Sequence, residues 1–235
     1  MSFRLSAVTF DSDDPGRTAG FWAALLDRDV VEDSGGVLLP GSGAQLGLEF
    51  VPSTARPARP NRVHLHLTSA DPEDQQRIVA AALALGASHL DVGQRPEEGH
   101  VVLADPEGNE FCVIGPDSSF LAGCGPLGEL ACDGTRDVGL FWSGALGWPL
   151  VWDRDGETAI QSPDGGTKVA WGGPPVAPHR PGRRQRLTLV TDGGEPEAAA
   201  EELVDLGARR PPRGPEGAVL LLDPDDNEFR VLPPR

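Results

Sequence analysis

The 235-residue chain carries the same signposts twice, in the same order. Phe21-Trp22-Ala23-Ala24-Leu25-Leu26 returns as Phe141-Trp142-Ser143-Gly144-Ala145-Leu146. Leu85-Gly86-Ala87 returns as Leu206-Gly207-Ala208, and Asp105-Pro106-Glu107-Gly108-Asn109-Glu110-Phe111 as Asp223-Pro224-Asp225-Asp226-Asn227-Glu228-Phe229. The offsets are 120, 121 and 118 residues. Solenoid units repeat at roughly 20–50 residues, so a period this long marks a duplicated domain. Two halves of about 117 residues fit ordinary domain sizes. The expected layout is a first domain at 1–117, a linker at 118–126 and a second domain at 127–235. Features shared by both copies read as architecture; features of one copy are candidates for function.

Each copy divides again. Leu5 to Phe10 reads as a strand, and Asp14-Pro15 as a helix start, with a short acceptor before Pro at the first helical position. Phe21, Trp22, Leu25 and Leu26 follow at helical spacing, then three short strands near Val30-Val31, Val37–Leu39 and Gln45–Val51. A second strand-helix-three-strand unit begins at Arg62–Thr68, with a helix opened by Asp71-Pro72 and closed by Gly86. Its strands fall at His89–Val92, His100–Leu103 and Glu110–Ile114. The second half retraces this course, giving four such modules in all.

The net charge of −16 is spread over both halves: 18 acids against 8 arginines before residue 118, and 18 acids against 12 bases after it. That balance argues against nucleic acid and anionic membrane as partners, and favours a cation over an anion as ligand. No stretch approaches the ~18 apolar residues of a membrane span. Three cysteines, Cys112, Cys124 and Cys132, form no metal-type pair and fit a reducing cytoplasm better than a disulfide framework. The chain has no Tyr and a single Lys, Lys168. There is no Gly-x-Ser-x-Gly and no Gly-rich phosphate loop between a strand and a helix, so no catalytic residue is assigned.

Paired strand-helix-three-strand modules, a Phe-Trp in each first helix, Asp-Pro-x-x-Asn-Glu-Phe before each last strand, and Asn61-Arg62-Val63-His64-Leu65 resemble the vicinal oxygen chelate superfamily. Its glyoxalase-like, bleomycin-resistance-like branch is the nearest match. The resemblance implies an α+β fold of tandem glyoxalase-like domains, each of two βαβββ modules forming a curved mixed-sheet cup. It also implies His or Glu metal ligands on the first and last strand of each module. In the first domain those positions fall near Ala7 and on Glu49, His64 and Cys112, with Glu110 two residues before Cys112 on the same strand face. The metal set offered is therefore Glu49, His64, Glu110 and Cys112, suited to zinc, nickel, iron or manganese. A competing reading makes Glu110 structural, a carboxylate that bonds a backbone turn, because Glu228 repeats it. In the second domain His64 aligns with Thr188, Cys112 with Arg230 and Ala7 with Glu129. One carboxylate facing an Arg suggests an ion pair there, with no metal.

Three readings stay open. One is a small-molecule binding protein of the drug-resistance type that needs no metal; another is a divalent-metal-dependent lyase, isomerase or dioxygenase acting through the first domain; the third is a purely structural or regulatory pseudo-enzyme. For the first, the ligand-binding candidates are His64 and His66, two residues apart on one strand face, with Trp152 and Trp171, which have no counterpart in the first copy. A cationic or aromatic small molecule is the expected ligand. Arg180, Arg183, Arg184 and Arg186 form a basic cluster in a Pro/Gly-rich connector that could clamp an anionic group. The chain is expected as a monomer or homodimer.

Overall fold

The computed structural model describes residues 3–33, 35–42, 44–54, 61–176, 185–211 and 219–234. The first module comprises β1 (Phe3–Ser12), α1 (Pro15–Leu26), β2 (Val31–Asp33), β3 (Gly36–Leu39) and β4 (Gly47–Pro52). The second comprises β5 (Val63–Leu67), α2 (Pro72–Ala84), β6 (Ser88–His89), β7 (Val101–Ala104) and β8 (Glu110–Val113). The third runs through β9 (Leu127–Cys132), α3 (Arg136–Leu146), β10 (Leu150–Arg154), β11 (Glu157–Ser162) and β12 (Gly165–Trp171). The fourth has β13 (Gln185–Thr191), α4 (Pro196–Asp205), β14 (Val219–Leu222) and β15 (Glu228–Leu232). Where the second module has β6, the fourth has an isolated bridge between Arg209 and Leu222. His179, Arg180, Arg183 and Arg184 lie outside the described residues.

Helix boundaries follow local chemistry. Asp14 and Asp71 accept the backbone N–H of Arg17 at 3.0 Å and of Asp74 at 2.7 Å, each just before a Pro at the helix start. Gly86 ends α2 with φ +105°, a backbone setting that side-chain-bearing residues resist.

The strands make two mixed sheets. One has seven strands in the order β14-β15-β13-β1-β4-β3-β2, and the other has eight in the order β10-β11-β12-β9-β5-β8-β7-β6. The first sheet thus joins modules one and four, and the second joins modules two and three. The expected α+β fold of tandem strand-helix-three-strand units is present, but each sheet takes one module from each half rather than both modules of one half. The first strand of every module has one edge taken by its own last strand, and its other edge must be paired. β13 pairs antiparallel with β1, and β9 pairs antiparallel with β5. All four modules carry the same local pattern, so that pattern does not choose among the partners.

The halves are nevertheless tied internally, by the repeated motifs. Trp22 of α1 packs against Phe111 of β8 with ring centroids 5.0 Å apart, and its indole N–H donates to Asp105 at 3.1 Å. Asp105 also accepts from the backbone of Glu107 and Asn109 and from the Asn109 side chain. The second half repeats this with Trp142 against Phe229 at 4.9 Å and Trp142 donating to Asp223 at 3.4 Å. Phe-Trp and Asp-Pro-x-x-Asn-Glu-Phe are two ends of one contact. They recur together because the first helix of each half, which belongs to one sheet, is fastened to the last strand of that half, which belongs to the other. The segment between the halves is pinned as well. Gln45 donates to the Cys124 carbonyl at 2.6 Å, and Thr68 to the Gly125 carbonyl at 2.7 Å.

Candidate functional site

The central strands of the two sheets carry equivalent positions with different chemistry. In the first sheet, Thr9 of β1, Glu49 of β4, Thr188 of β13 and Arg230 of β15 converge. The Thr9 hydroxyl donates to Glu49 Oε2 at 2.6 Å and lies 2.6 Å from the Thr188 hydroxyl. Arg230 donates through Nε to Thr188 at 2.9 Å and through Nη2 to Thr9 at 3.2 Å, and pairs with Glu49. Glu49, Thr9 and Thr188 are buried. A buried carboxylate needs a compensating cation, and a side chain of this chain supplies it. Alongside, Arg186 donates to Asp11 at 2.6 Å.

In the second sheet the register places Lys168, Glu129, His66 and Cys112 in one row across β12, β9, β5 and β8. His66 Nδ1 lies 2.7 Å from Glu129 Oε2. Lys168 turns to the Phe120 carbonyl and lies 4.3 Å from the Phe120 ring centroid. One residue pair along, His64 stands opposite Ala131 on one side, its ring centroid 5.2 Å from that of His66. Beside these strands opens a cavity of about 400 Å³. Asn61, His64, His66, His100, Glu110 and Cys112 supply its polar wall, and Val92, Val102 and Ile114 its apolar wall.

The two histidines are driven apart in basicity. Burial, reinforced by the charge of His66, pulls His64 down to about 4, against weaker opposition from Glu129 and Asp133. Burial opposes a proton on His66 too, but interaction with Cys112 and Glu129 outweighs it and lifts the ring to about 9. At neutral pH the site therefore holds a neutral imidazole beside an imidazolium, and the latter is clamped by a carboxylate. The neutral ring can accept a hydrogen bond or a proton from a ligand; the charged one can donate.

Four sequence expectations change here. Glu49 does not join His64, Glu110 and Cys112: β4 and β5 lie in different sheets, so the proposed metal set is split. Thr188 stands where His66 does, not His64, because Thr188 faces Arg230 in the same parallel register in which His66 faces Cys112. Arg230 pairs with Glu49, and Glu129 with His66, so the second-half ion pair expected from those two residues is replaced by two cross-half pairs. Trp171 is 2% exposed and packs in the hydrophobic core, since along β12 the alternation turns Lys168 and Ala170 toward the cup and Trp171 away from it. Trp152 lies on the edge strand β10, against Phe120 and Arg154, with its indole N–H donating to Glu157 at 3.2 Å. Glu110 accepts the Asn61 backbone N–H at 3.1 Å, just before β5 begins.

Among the described residues, neither cup presents an open ligand set for a divalent ion. In the first, the Arg230 guanidinium holds the place of a cation on Glu49. In the second, His66 and Glu129 are engaged with each other, and among the described residues no three His, Cys, Asp or Glu side chains converge as an ion would require.

The residues that sequence reasoning missed are Glu129, as the partner of His66, and Thr9. Glu129 was visible as a lone carboxylate in place of Ala7. Its role required knowing that β9 pairs with β5.

Two curved sheets of strand-helix-three-strand modules, each with its polar residues on the central strands, define the vicinal oxygen chelate class of protein. The chain belongs to the glyoxalase-like domain family, whose pattern matches residues 7–114 and 129–232. Among solved structures it is similar to glyoxalase I from Zea mays, with 15% identity, a TM-score of 0.64, and coverage of 98% of this chain and 92% of that one. A Bacillus subtilis protein named as a candidate dioxygenase is similar at 12% identity, a TM-score of 0.63, and coverage of 98% and 84%. No curated protein sequence matches the chain. At these identities the structural likeness speaks for the fold alone.

Proposed function

We propose that the chain is a small-molecule binding protein, of the drug-resistance kind within its family, whose ligand occupies the second-sheet cavity. The observation that carries this reading is the second-sheet cavity of about 400 Å³, with both apolar and hydrogen-bonding walls, set against a first cup whose buried Glu49 is already paired with Arg230. That volume lies within the range of small-molecule sites, roughly 300–1,000 Å³. The ligand that fits is compact, with a hydrogen-bond-donating or cationic head for His64 and Glu110. A flat apolar body would lie against Val92, Val102 and Ile114. The net charge of −16 works in the same direction by raising the local concentration of cations. The metal-dependent alternative would require Glu49 within reach of His64, and those residues belong to different sheets. A reducing cytoplasm suits the three free thiols. No described helix is long and apolar enough to cross a membrane.

Calorimetric titration with size-matched aromatic amines, amides and carboxylates tests the reading. Amines should bind, His64→Ala should weaken them at least about tenfold by removing the acceptor, and Trp152→Ala should leave them unchanged. Binding of carboxylates alone, or amine binding indifferent to His64, would overturn it.

A further inference from the structure

Three free cysteines invite comparison. Cys132 is half-buried on β9, and desolvation pushes its thiol up; Cys124 is buried beside a separate groove near α2, and burial raises its thiol too. Cys112 differs in its setting. It lines the second-sheet cavity beside His64. Its backbone is the direct partner of His66 across the parallel β5–β8 pair, and His66 is the direct partner of Glu129 across the antiparallel β5–β9 pair. Nδ1 of His66 is taken by Glu129 at 2.7 Å, which fixes the ring and leaves Nε2 as its other polar atom. The parallel register sets the Cys112 side chain beside that ring, and both line the same cavity. Three adjacent strands thus bring a sulfur, an imidazole and a carboxylate into one line beside a cavity. A sulfur next to a charged imidazole, with the imidazole oriented by a third group, is the arrangement that activates a thiol nucleophile.

We propose that Cys112 is a nucleophile of the second-sheet cavity, that His66 is its proton partner and Glu129 a positioning residue, and that the site captures soft carbon electrophiles of the α,β-unsaturated carbonyl class. The inference rests on the reading of this cavity as the ligand site and adds a class of ligand held covalently. The sulfur attacks the β-carbon of the ligand, a carbon–sulfur bond forms, and the electron pair of the carbon–carbon double bond moves onto the α-carbon and its carbonyl. His66 gives its proton to the α-carbon and takes the thiol proton in exchange, its ring held by Glu129 throughout. The net change is addition of S–H across the double bond, with no leaving group and no change of oxidation state. The apolar wall of Val102 and Ile114 suits the hydrocarbon end of such a ligand.

Brief exposure of the full chain to N-ethylmaleimide, an α,β-unsaturated dicarbonyl, with peptide mass spectrometry, reads the three thiols separately. Cys112 should label at least about tenfold faster than Cys124 and Cys132, because it alone has an oriented imidazole beside it to take its proton. His66→Gln should remove that advantage. Glu129→Gln should slow labelling and Glu129→Asp should restore it, a rescue that a purely packing role would not show. Cys124→Ser should leave the Cys112 rate unchanged. An unfolded His66→Gln protein would reveal itself by labelling all three thiols together, and the ranking in the unaltered chain then decides alone. Equal or inverted labelling of Cys112 and Cys124 in the unaltered chain would overturn the proposal. Reversible amine binding to Cys112→Ser separates the two readings: if it persists while the unaltered chain shows no preferred Cys112 adduct, the nucleophile is refuted and the cavity stands.

Discussion

The guanidinium of Arg230 lies on the carboxylate of Glu49, 181 residues earlier in the chain, with Thr9 and Thr188 closing the ring of hydrogen bonds. Glu49 is buried and Arg230 partly so, and the pair is largely shielded from water. Arg230→Met removes a charge partner from a buried carboxylate and should cost about 3–5 kcal/mol in chemical denaturation. Replacing Glu49 with Leu in the same protein should recover most of that loss, because an apolar pair needs no compensation. A double variant as unstable as the single one would mean that the pair contributes through packing and not through charge.

Trp22 and Trp142 test the fastening of helix to strand. Trp22→Phe keeps most of the ring contact with Phe111 but removes a donor from buried Asp105. The expected loss is about 1–3 kcal/mol, read from the denaturant midpoint. Trp142→Phe should cost less, since its bond to Asp223 is 3.4 Å against 3.1 Å for the first copy.

The two cavity histidines predict a stability maximum. A free imidazole titrates near 6.5, and folded His64 near 4, so on acidification the unfolded chain takes this proton first. The contribution of His64 is therefore lost as pH falls from about 6.5 toward 4. Folded His66 titrates near 9, so its contribution is full below about 6.5 and is lost as pH rises through 9. Each arm amounts to at most roughly 3 kcal/mol. Denaturant midpoints measured across pH should show the acid arm flattened by His64→Asn and the alkaline arm flattened by His66→Gln. Arms unchanged by these variants would assign the dependence to other groups.

Residues 1–117 alone should not give a folded monomer. Without β13 and β9, the inner edges of β1 and β5 lose their antiparallel partners. Size-exclusion chromatography should show self-association or aggregation. A monomeric species with a cooperative thermal transition would contradict the sheet wiring.

Most elements were legible in the sequence because each is set locally: an Asp before a Pro, apolar residues at helical spacing, Gly after the last turn. The family was legible because Trp22 and Asp105 leave paired traces in both copies. The site was only half legible. His64, His66, Glu110 and Cys112 could be found on their strands by alternation. Glu49 could not be separated from them, since whether β1 takes β5 or β13 as its neighbour is a choice between distant segments with the same pattern. The same choice decides that Glu129 meets His66 and that Arg230 meets Glu49. Trp171 misled for a different reason: a buried aromatic and a ligand-facing aromatic look alike until the face of the strand is known.

The crossing of modules between sheets has a practical side. Cleaving the chain within residues 118–126 would give two pieces that each contain half of both cups. The first piece carries the whole cavity wall, but in it β5 lacks its β9 partner and His66 its Glu129; only together do the pieces hold every strand. Co-expressed, they would have to find one another to rebuild either sheet, so recovery of the folded protein would report on their encounter.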